Sequence, residues 1–431
     1  MDTSIQIQQL YKLFLTNPSV QTDTRKLKEG DIFFALSGPT FNGNQFAIKA
    51  LELGASYAIV DEDIDSANEN IIKVADTLLC LQELAKYHRM QLNIPVIAIT
   101  GSNGKTTTKE LVSSVLASHL VTYTTQGNLN NHIGVPLTLL SIKKDAEIAV
   151  IEMGANHQKE IEGYCQYTLP THGLITNCGK AHLEGFGGIE GVRKGKGELY
   201  DYLRMHDGTA FVYWDYDYLQ SMSAGIPHRI KYGTASGEVV GKVFSSDPFL
   251  IVAINNEDEL ATINTQLVGD YNLPNVLGAV AIGKHFGVPN SKIKQAIETY
   301  LPTNSRSQMI KVDTNTIILD AYNANPTSMK AAIENFAKLD ANPKVIFIGG
   351  MMELGDDSIV EHQALVYLIE QYPWQQVVLV GGDFSKVNHS FLYFNSSTDA
   401  QEWFNKQHFE HTHLLVKGSR SMQMEKVISC K

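Results

Sequence analysis

The residues best suited to chemistry lie in one short run, Gly101-Ser102-Asn103-Gly104-Lys105-Thr106-Thr107. Glycines let a backbone approach an anion without Cβ obstruction, and a lysine followed by hydroxyls at this spacing is the composition of a phosphate-binding loop. The chemistry would be capture of a nucleoside triphosphate. Loop N–H groups and a helix N-terminus would converge on a concavity that favours negative charge. Lys105 would reach the β- and γ-phosphates, and the Thr106 hydroxyl would ligate Mg²⁺. The stricter pattern has another glycine at position 99, where Ile99 stands, so this is a shortened variant. The plainer alternative is a Gly-rich turn with an exposed lysine. A carboxylate should complete a metal site from a neighbouring strand end, and Glu152 closes the apolar run Ile148-Ala149-Val150-Ile151 with Gly154 soon after. Such a residue can hold Mg²⁺ directly or through water; a solvated strand-end glutamate is the alternative.

A loop of this kind works only between a strand and a helix. Val96-Ile97-Ala98-Ile99-Thr100 reads as a buried strand, and a helical pattern follows over 106–119. Strands expected at 148–153 and 173–177 alternate with helical stretches, which argues for a mostly parallel sheet. The stretch 208–267 is strand-rich with polar turns and is expected to extend that sheet in antiparallel fashion. Upstream, strand-like runs at 31–36 and 57–60 bracket turn-rich residues 37–44 and a helix over 46–53. A helix over 77–92 then leads into the middle segment. Beyond Pro302, strands at 316–319, 345–348, 377–380 and 413–416 alternate with helices at 328–339 and 358–371, and a short helix lies near Met422. The fold class is α/β in three domains: a small one over 1–82, a central P-loop domain over 83–303, and a Rossmann-like one over 304–431.

Length agrees, since 431 residues at about 150 per domain give roughly three. A net charge of −11 excludes nonspecific nucleic-acid binding through a basic surface. Anions would be bound only at local sites. Cys80, Cys165, Cys178 and Cys430 are scattered with no C-x-x-C pair, so neither a zinc site nor a disulfide framework is expected, and a reducing compartment fits. The N-terminus lacks a basic stretch followed by an apolar one, and no apolar run reaches the roughly 20 residues of a membrane span. A cytoplasmic chain without membrane insertion, and a monomer, is the expectation.

Taken together, the motifs resemble the Mur ligases of peptidoglycan synthesis, over nearly the whole chain. Asp23-Thr24-Arg25, Gly30-Asp31-Ile32-Phe33 and Phe41-Asn42-Gly43 are similar to that family's UDP-binding domain, although Asn42 and Asn44 stand where the family more often has aspartate and histidine. The loop 100–107 is similar to its ATP signature. Gly127-Asn128-Leu129-Asn130-Asn131, Glu152-Met153-Gly154-Ala155-Asn156, Thr176-Asn177, Ala181-His182-Leu183-Glu184-Gly185 and Lys196-Gly197-Glu198 follow in the family's order. Asn272 and Asn275 resemble positions near the adenine. Asp320-Ala321-Tyr322-Asn323-Ala324-Asn325-Pro326 and Lys417-Gly418-Ser419-Arg420-Ser421 resemble C-terminal signatures, while Gly350 stands where an aspartate is common.

The resemblance implies an ATP-dependent ligase that turns a carboxylate into an acyl phosphate for attack by an amine. By that resemblance Lys105 and Thr106 hold the triphosphate, and one Mg²⁺ sits between Thr106, Glu152 and phosphate oxygens. A second Mg²⁺ would have His182 as a ligand, together with Lys196 carbamylated by CO₂. Read without the resemblance, His182 is an ordinary hydrogen-bonding histidine and Lys196 part of a solvated basic run. Arg306 could pair with phosphate in a bidentate way and Asp320 could accept from ribose hydroxyls; an exposed arginine and a strand-end aspartate are the alternatives. Residues 322–326 could be only a turn. Ser419 and Arg420, between a strand and a helix, could form an anion site for the second substrate's carboxylate. The implied substrates are UDP-N-acetylmuramoyl-tripeptide and D-alanyl-D-alanine, because Tyr322-Asn323-Ala324-Asn325-Pro326 favours the dipeptide adder and the Asp-Asn-Pro-Arg signature of the diaminopimelate adder is absent. A sister ligase adding one amino acid, a P-loop kinase and a non-enzymatic nucleotide-binding regulator are the competing readings. Free phosphate release separates ligase from kinase.

Overall fold

In a computed structural model, the structure describes residues 3–255, 258–303 and 305–428. Three sheets carry the architecture. The N-terminal sheet has four parallel strands in the order Val20–Gln21, Ile32–Phe34, Tyr57–Val60 and Ile71–Lys73. Its second strand shows why a parallel strand is apolar throughout: side chains alternate, and both faces are covered. Phe33 points into a small core with Ala47 and Ala50 of helix Ala47–Glu52. Ile32 and Phe34 point the other way, into a core shared with Leu81 and Leu84. The latter two belong to helix Thr77–Gln91, started by Asp76, whose carboxylate accepts the Leu79 N–H at 2.8 Å. This helix crosses position 82, where the sequence places the first domain limit; Asn304, at the second limit, lies outside the described residues, as does Cys430. Helix Thr3–Thr16, which the motif reading passes over, buries Ile7, Leu10 and Phe14 at helical spacing.

The central sheet has nine strands, in the order Thr262–Val268, Phe249–Ile254, Val239–Ser246, His228–Gly233, Thr209–Tyr213, His172–Ile175, Val96–Thr100, Ile148–Glu152 and Thr122–Thr124. The expected antiparallel extension holds only from Val239 onward. Thr209–Tyr213 and His228–Gly233 instead continue the parallel sheet. The reason is helix Asp217–Met222, which anchors on the fully buried Leu219 and crosses over between them. The C-terminal sheet has six strands, in the order Gln308–Val312, Asn315–Asp320, His413–Lys417, Lys344–Gly349, Gln376–Val380 and Leu392–Phe394. Only the first pair is antiparallel. Gly350 follows the fourth of these in sheet order, and a Cβ there would fall 2.5 Å from Gly382 Cα. The two backbones meet too closely for the aspartate expected at that place.

Arg89 ties the C-terminal end of helix Thr77–Gln91 into the central domain. It is 6% exposed, and its guanidinium donates to the carbonyls of Leu92 (2.8 Å), Thr168 (3.0 Å), Leu169 (3.2 Å) and Ile94 (3.3 Å). Arg89→Met keeps the apolar stem but strands these acceptors, so denaturant unfolding should show a loss of about 3 kcal/mol.

Candidate active site

The strands Val96–Thr100, Ile148–Glu152 and His172–Ile175 run parallel and end on the same edge, where ligands collect in open α/β sheets. The loop after the first opens helix Lys105–Ala117. Gly101 and Gly104 hold φ values of +142° and +78°, and each also faces a close neighbour. A Cβ on Gly101 would stand 2.0 Å from Thr176 Oγ1, and one on Gly104 2.8 Å from Asn275 Oδ1. The next strand end clamps the loop. Ser102 N–H donates to Asn177 O at 2.9 Å and Ser102 Oγ to Gly179 O at 2.8 Å. Asn103 N–H donates to Asn177 Oδ1 at 3.1 Å, and Asn103 O accepts from Thr176 Oγ1 at 2.6 Å and Asn177 Nδ2 at 3.0 Å. Behind Gly104, Thr108 Oγ1 donates to Asn275 Oδ1 at 3.0 Å, and Asn275 Nδ2 donates to Asn272 Oδ1 at 2.9 Å. Asn272 and Asn275 therefore brace the helix start as well as lining the cleft beside it.

Lys105 Nζ lies along its own loop, donating to Gly101 O at 2.7 Å and Ser102 O at 3.2 Å. Burial lowers its pKa; Glu152 counters this and Arg306 adds to it. Glu152 is 1% exposed. Its Oε1 accepts from Asn130 Nδ2 at 2.7 Å, whereas Oε2 is buried with no hydrogen-bond partner among the described residues. Asn128 lines the cleft beside Thr106, and Asn131 Oδ1 accepts the Gly134 N–H at 2.8 Å to start helix Gly134–Leu140.

Lys196 is wholly buried on helix Ile189–Met205, donating to Ala155 O at 2.8 Å with its ammonium 4.9 Å from the Phe186 ring centre. Burial first, and then repulsion from Lys105, drive its pKa well below the usual lysine range. His182 lines the cleft and pairs through Nδ1 with the carboxylate of Glu353, a C-terminal-domain residue that the motif reading missed. The hydrogen bond from His182 holds the Glu353 carboxyl below its ordinary pKa. Glu353 lies just past strand Lys344–Gly349, and that strand-end position, the same signal that singles out Glu152, could have found it.

The opposite wall is built by the C-terminal sheet, whose strands Asn315–Asp320 and His413–Lys417 end at Asp320 and Lys417. These two pair at 2.5 Å, and Asp320 also accepts the Ser307 N–H at 3.1 Å. The Arg306 guanidinium stacks 3.6 Å above the Tyr322 ring. Asn325 caps helix Pro326–Lys338 through the Ser328 N–H and reaches across to donate to Asn103 Oδ1 at 2.7 Å. The cleft between the walls measures about 790 Å³ and continues into a second chamber of about 890 Å³, where Asn323, Ser419 and Arg420 lie. Ser419 and Ser421 hydroxyls are 3.2 Å apart, and Arg420 pairs with Glu425 at 3.0 Å. Thr24, Arg25, Phe41, Asn42 and Gly43 stand apart from this cleft, on the N-terminal domain. There Arg25 pairs with Asp23, Phe41 stacks on Phe46 with centroids 5.5 Å apart, and Asn42 donates to Glu62 at 2.9 Å. Gly43 is pressed so near Leu36 that a Cβ would fall 2.3 Å from its carbonyl oxygen.

Phosphate-binding backbone on one domain, with a second domain's polar groups across a shared cleft, defines a P-loop enzyme whose nucleotide faces another ligand. Comparison with known proteins narrows that class. The Mur ligase family's catalytic domain matches residues 18–89, its middle domain residues 99–283 and its glutamate ligase domain residues 305–420. The chain belongs to the Mur ligase family. It is 33% identical to UDP-N-acetylmuramoyl-tripeptide--D-alanyl-D-alanine ligase of Bacillus subtilis (strain 168), over 98% of this chain and 96% of that one. To the ligase of the same name from Escherichia coli (strain K12) it is 34% identical, over 96% and 93%. The crystal structure of MurF from Acinetobacter baumannii superposes with a TM-score of 0.87 at 31% identity, covering 98% of this chain and 97% of that one.

The tightness at Gly104 gives a test. Gly104→Ala must displace Asn275 while holding a backbone conformation that costs roughly 1–2 kcal/mol for an L side chain. Nucleotide titration should show at least about a tenfold loss of affinity, and the unfolding midpoint should fall by about a few degrees because the strain exists only in the folded state.

Proposed function

We propose that this chain is an ATP-dependent ligase that joins D-alanyl-D-alanine to UDP-N-acetylmuramoyl-tripeptide through an acyl phosphate. The observation that carries the reading is the convergence of the phosphate loop, Glu152, His182, Arg306 and Asn323 on one cleft, in a chain similar over nearly its full length to ligases of that name. The N-terminal domain, with Thr24, Arg25, Phe41, Asn42 and Gly43, would hold the UDP end of the substrate. Asp320 and the Asn272–Asn275 pair would face ribose and adenine, and Ser419 and Arg420 the dipeptide carboxylate.

A carboxylate resists an amine because it is anionic and has a poor leaving group. Lys105 and the N–H groups at the start of helix Lys105–Ala117 gather the triphosphate, and they orient its γ-phosphoryl group toward the incoming carboxylate. Phosphoryl transfer leaves an acyl phosphate and ADP; the amine then attacks the carbonyl carbon and phosphate departs. Arg306, held flat on Tyr322, would stabilise charge on the transferring group.

The donors fit Mg²⁺. Glu152 Oε2 is a buried, orphaned carboxylate oxygen, and the Thr106 hydroxyl lies at the helix start in the same cleft. Among the described residues no three His, Cys, Asp or Glu side chains gather as a ready-made cage. That suits an ion that keeps waters and substrate oxygens around it. Mg²⁺ bound here would neutralise phosphate charge. His182 and Lys196 would serve a second ion. Lys196 is buried with its hydrogen bond to a carbonyl rather than a carboxylate, and burial lowers its pKa well below the usual lysine range, which favours the neutral amine that adds to CO₂. The product would be a carbamate whose single negative charge is shared by two oxygens, with one proton released.

Phosphate release from ATP should require both UDP-N-acetylmuramoyl-tripeptide and D-alanyl-D-alanine, and the product mass should equal their sum less water. Release with a single amino acid would reassign the chain to a sister step. Lys105→Ala should abolish turnover and leave the circular dichroism spectrum unchanged. Native mass spectrometry in bicarbonate buffer should find one CO₂ adduct that is missing from Lys196→Gln; an unmodified wild-type chain would refute the carbamate.

A further inference from the structure

We infer that Glu353 is a positioning residue for His182, and that through it the orientation of this metal-ligand candidate depends on docking of the C-terminal domain. The inference rests on the reading of His182 as a Mg²⁺ ligand. Two non-glycine residues in the left-handed region meet across the domain boundary: His182 at φ +53° and Glu353 at φ +62°. Such conformations persist only where the surroundings over-determine them, and here they do. Glu184 N–H donates to Glu353 O at 3.4 Å, and a Cβ on Gly355 would stand 3.3 Å from Glu184 Cβ. The Glu353 loop is thus seated against the His182 segment by its backbone as well as by its side chain.

The atom contacted decides the chemistry. The Glu353 carboxylate lies against Nδ1 of His182, although Nδ1 makes no aligned hydrogen bond among the described residues. A small turn of the ring would align that bond, keep the proton of a neutral imidazole on Nδ1 and leave Nε2 as the lone-pair nitrogen. A carboxylate on the far nitrogen fixes both tautomer and ring orientation in metal-binding histidines. His182 lines the same two chambers as Thr106, whereas Glu353 lines only the outer one. Glu353 thus meets His182 from the second chamber, on the Nδ1 side of the ring. The neighbouring contacts Lys180–Glu361 (2.5 Å) and Lys180 N–H to Thr327 Oγ1 (3.1 Å) join the same two domains without touching His182. They supply a control for docking alone.

The test is Mn²⁺ binding to the full chain with a non-hydrolysable ATP analogue, followed by electron paramagnetic resonance in wild type, His182→Ala, Glu353→Gln and Glu361→Gln. His182→Ala should lose one class of bound Mn²⁺, and Glu353→Gln should weaken that class by roughly 10- to 100-fold. Glu361→Gln should match wild type. If His182→Ala loses the class but Glu353→Gln keeps it at full affinity, the positioning role is overturned and the metal reading stands. If His182→Ala changes nothing, both fall. Equal weakening in Glu361→Gln would assign the effect to docking and overturn orientation by Glu353.

Discussion

Asn103 is held through its backbone N–H, its carbonyl and its side-chain oxygen. Its N–H and carbonyl are tied to Asn177 and Thr176 at the neighbouring strand end, and its side-chain oxygen accepts from Asn325 of the C-terminal domain. A phosphate loop binds with backbone N–H groups, so its affinity depends on those groups already pointing inward before any ligand arrives. Nothing inside a four-residue loop can enforce that. The adjacent strand must, which is why Gly101 has to let Thr176 approach to a distance that no Cβ permits. The same asparagine carries the shape of the loop to the second domain, because Asn325 is also the cap of helix Pro326–Lys338. The geometry on one wall of the cleft is thereby referred to the other.

Charge is the second constraint. Two lysines, Lys196 and Lys417, are among the largest fully buried side chains, and their surroundings differ. Lys417 has a carboxylate at 2.5 Å, so its ammonium is paired. Lys196 has a carbonyl at 2.8 Å and an aromatic face, with a second cation, Lys105, close enough to repel it. A buried ammonium without an ion-pair partner is strongly disfavoured and sheds its proton. Glu152 is the converse case, a buried carboxylate with one oxygen satisfied and one left bare. Glu152 thus keeps one bare oxygen in the cleft, with Lys105 as its neighbouring cation, while Lys196 lies outside the cleft lining without an ion pair among the described residues.

The loop 101–107 and the strand-end Glu152 were legible because glycine spacing and apolar run lengths are local. The strands were legible for the same reason: Val96–Thr100 and Lys344–Gly349 are buried on both faces and read as unbroken apolar runs. What escaped depends on contacts distant in sequence. Helix Asp217–Met222 is six residues long and fully buries only Leu219, so periodicity does not separate it from a turn, and the antiparallel pairing expected on either side does not hold. Glu353 sits 171 positions from His182 and carries no motif of its own. Asn272 and Asn275 drew attention as ligand-facing residues, but the hydrogen bonds that brace helix Lys105–Ala117 through Thr108 are tertiary facts.

Polar contacts joining the central and C-terminal domains at the cleft include Asn103 with Asn325, Lys180 with Thr327 and Glu361, His182 with Glu353, and Tyr271 with Ser307. On the flank, Asp340 N–H donates to Asp247 at 3.1 Å and Lys338 pairs with Asp270 at 3.8 Å. Ion pairs as exposed as the last contribute about 1 kcal/mol or less, and polar interfaces within a chain open readily. Such a boundary does not by itself hold the two walls together. A ligand that reaches Thr106 on one wall and Arg306 on the other binds fully only when the walls meet, and a ligand shifts a conformational equilibrium by its differential affinity for the two states. On the proposed reading, the nucleotide and the carboxylate substrate would bridge the two walls. A weak boundary would let them enter, and their contacts would then close the site around an intermediate that water would destroy.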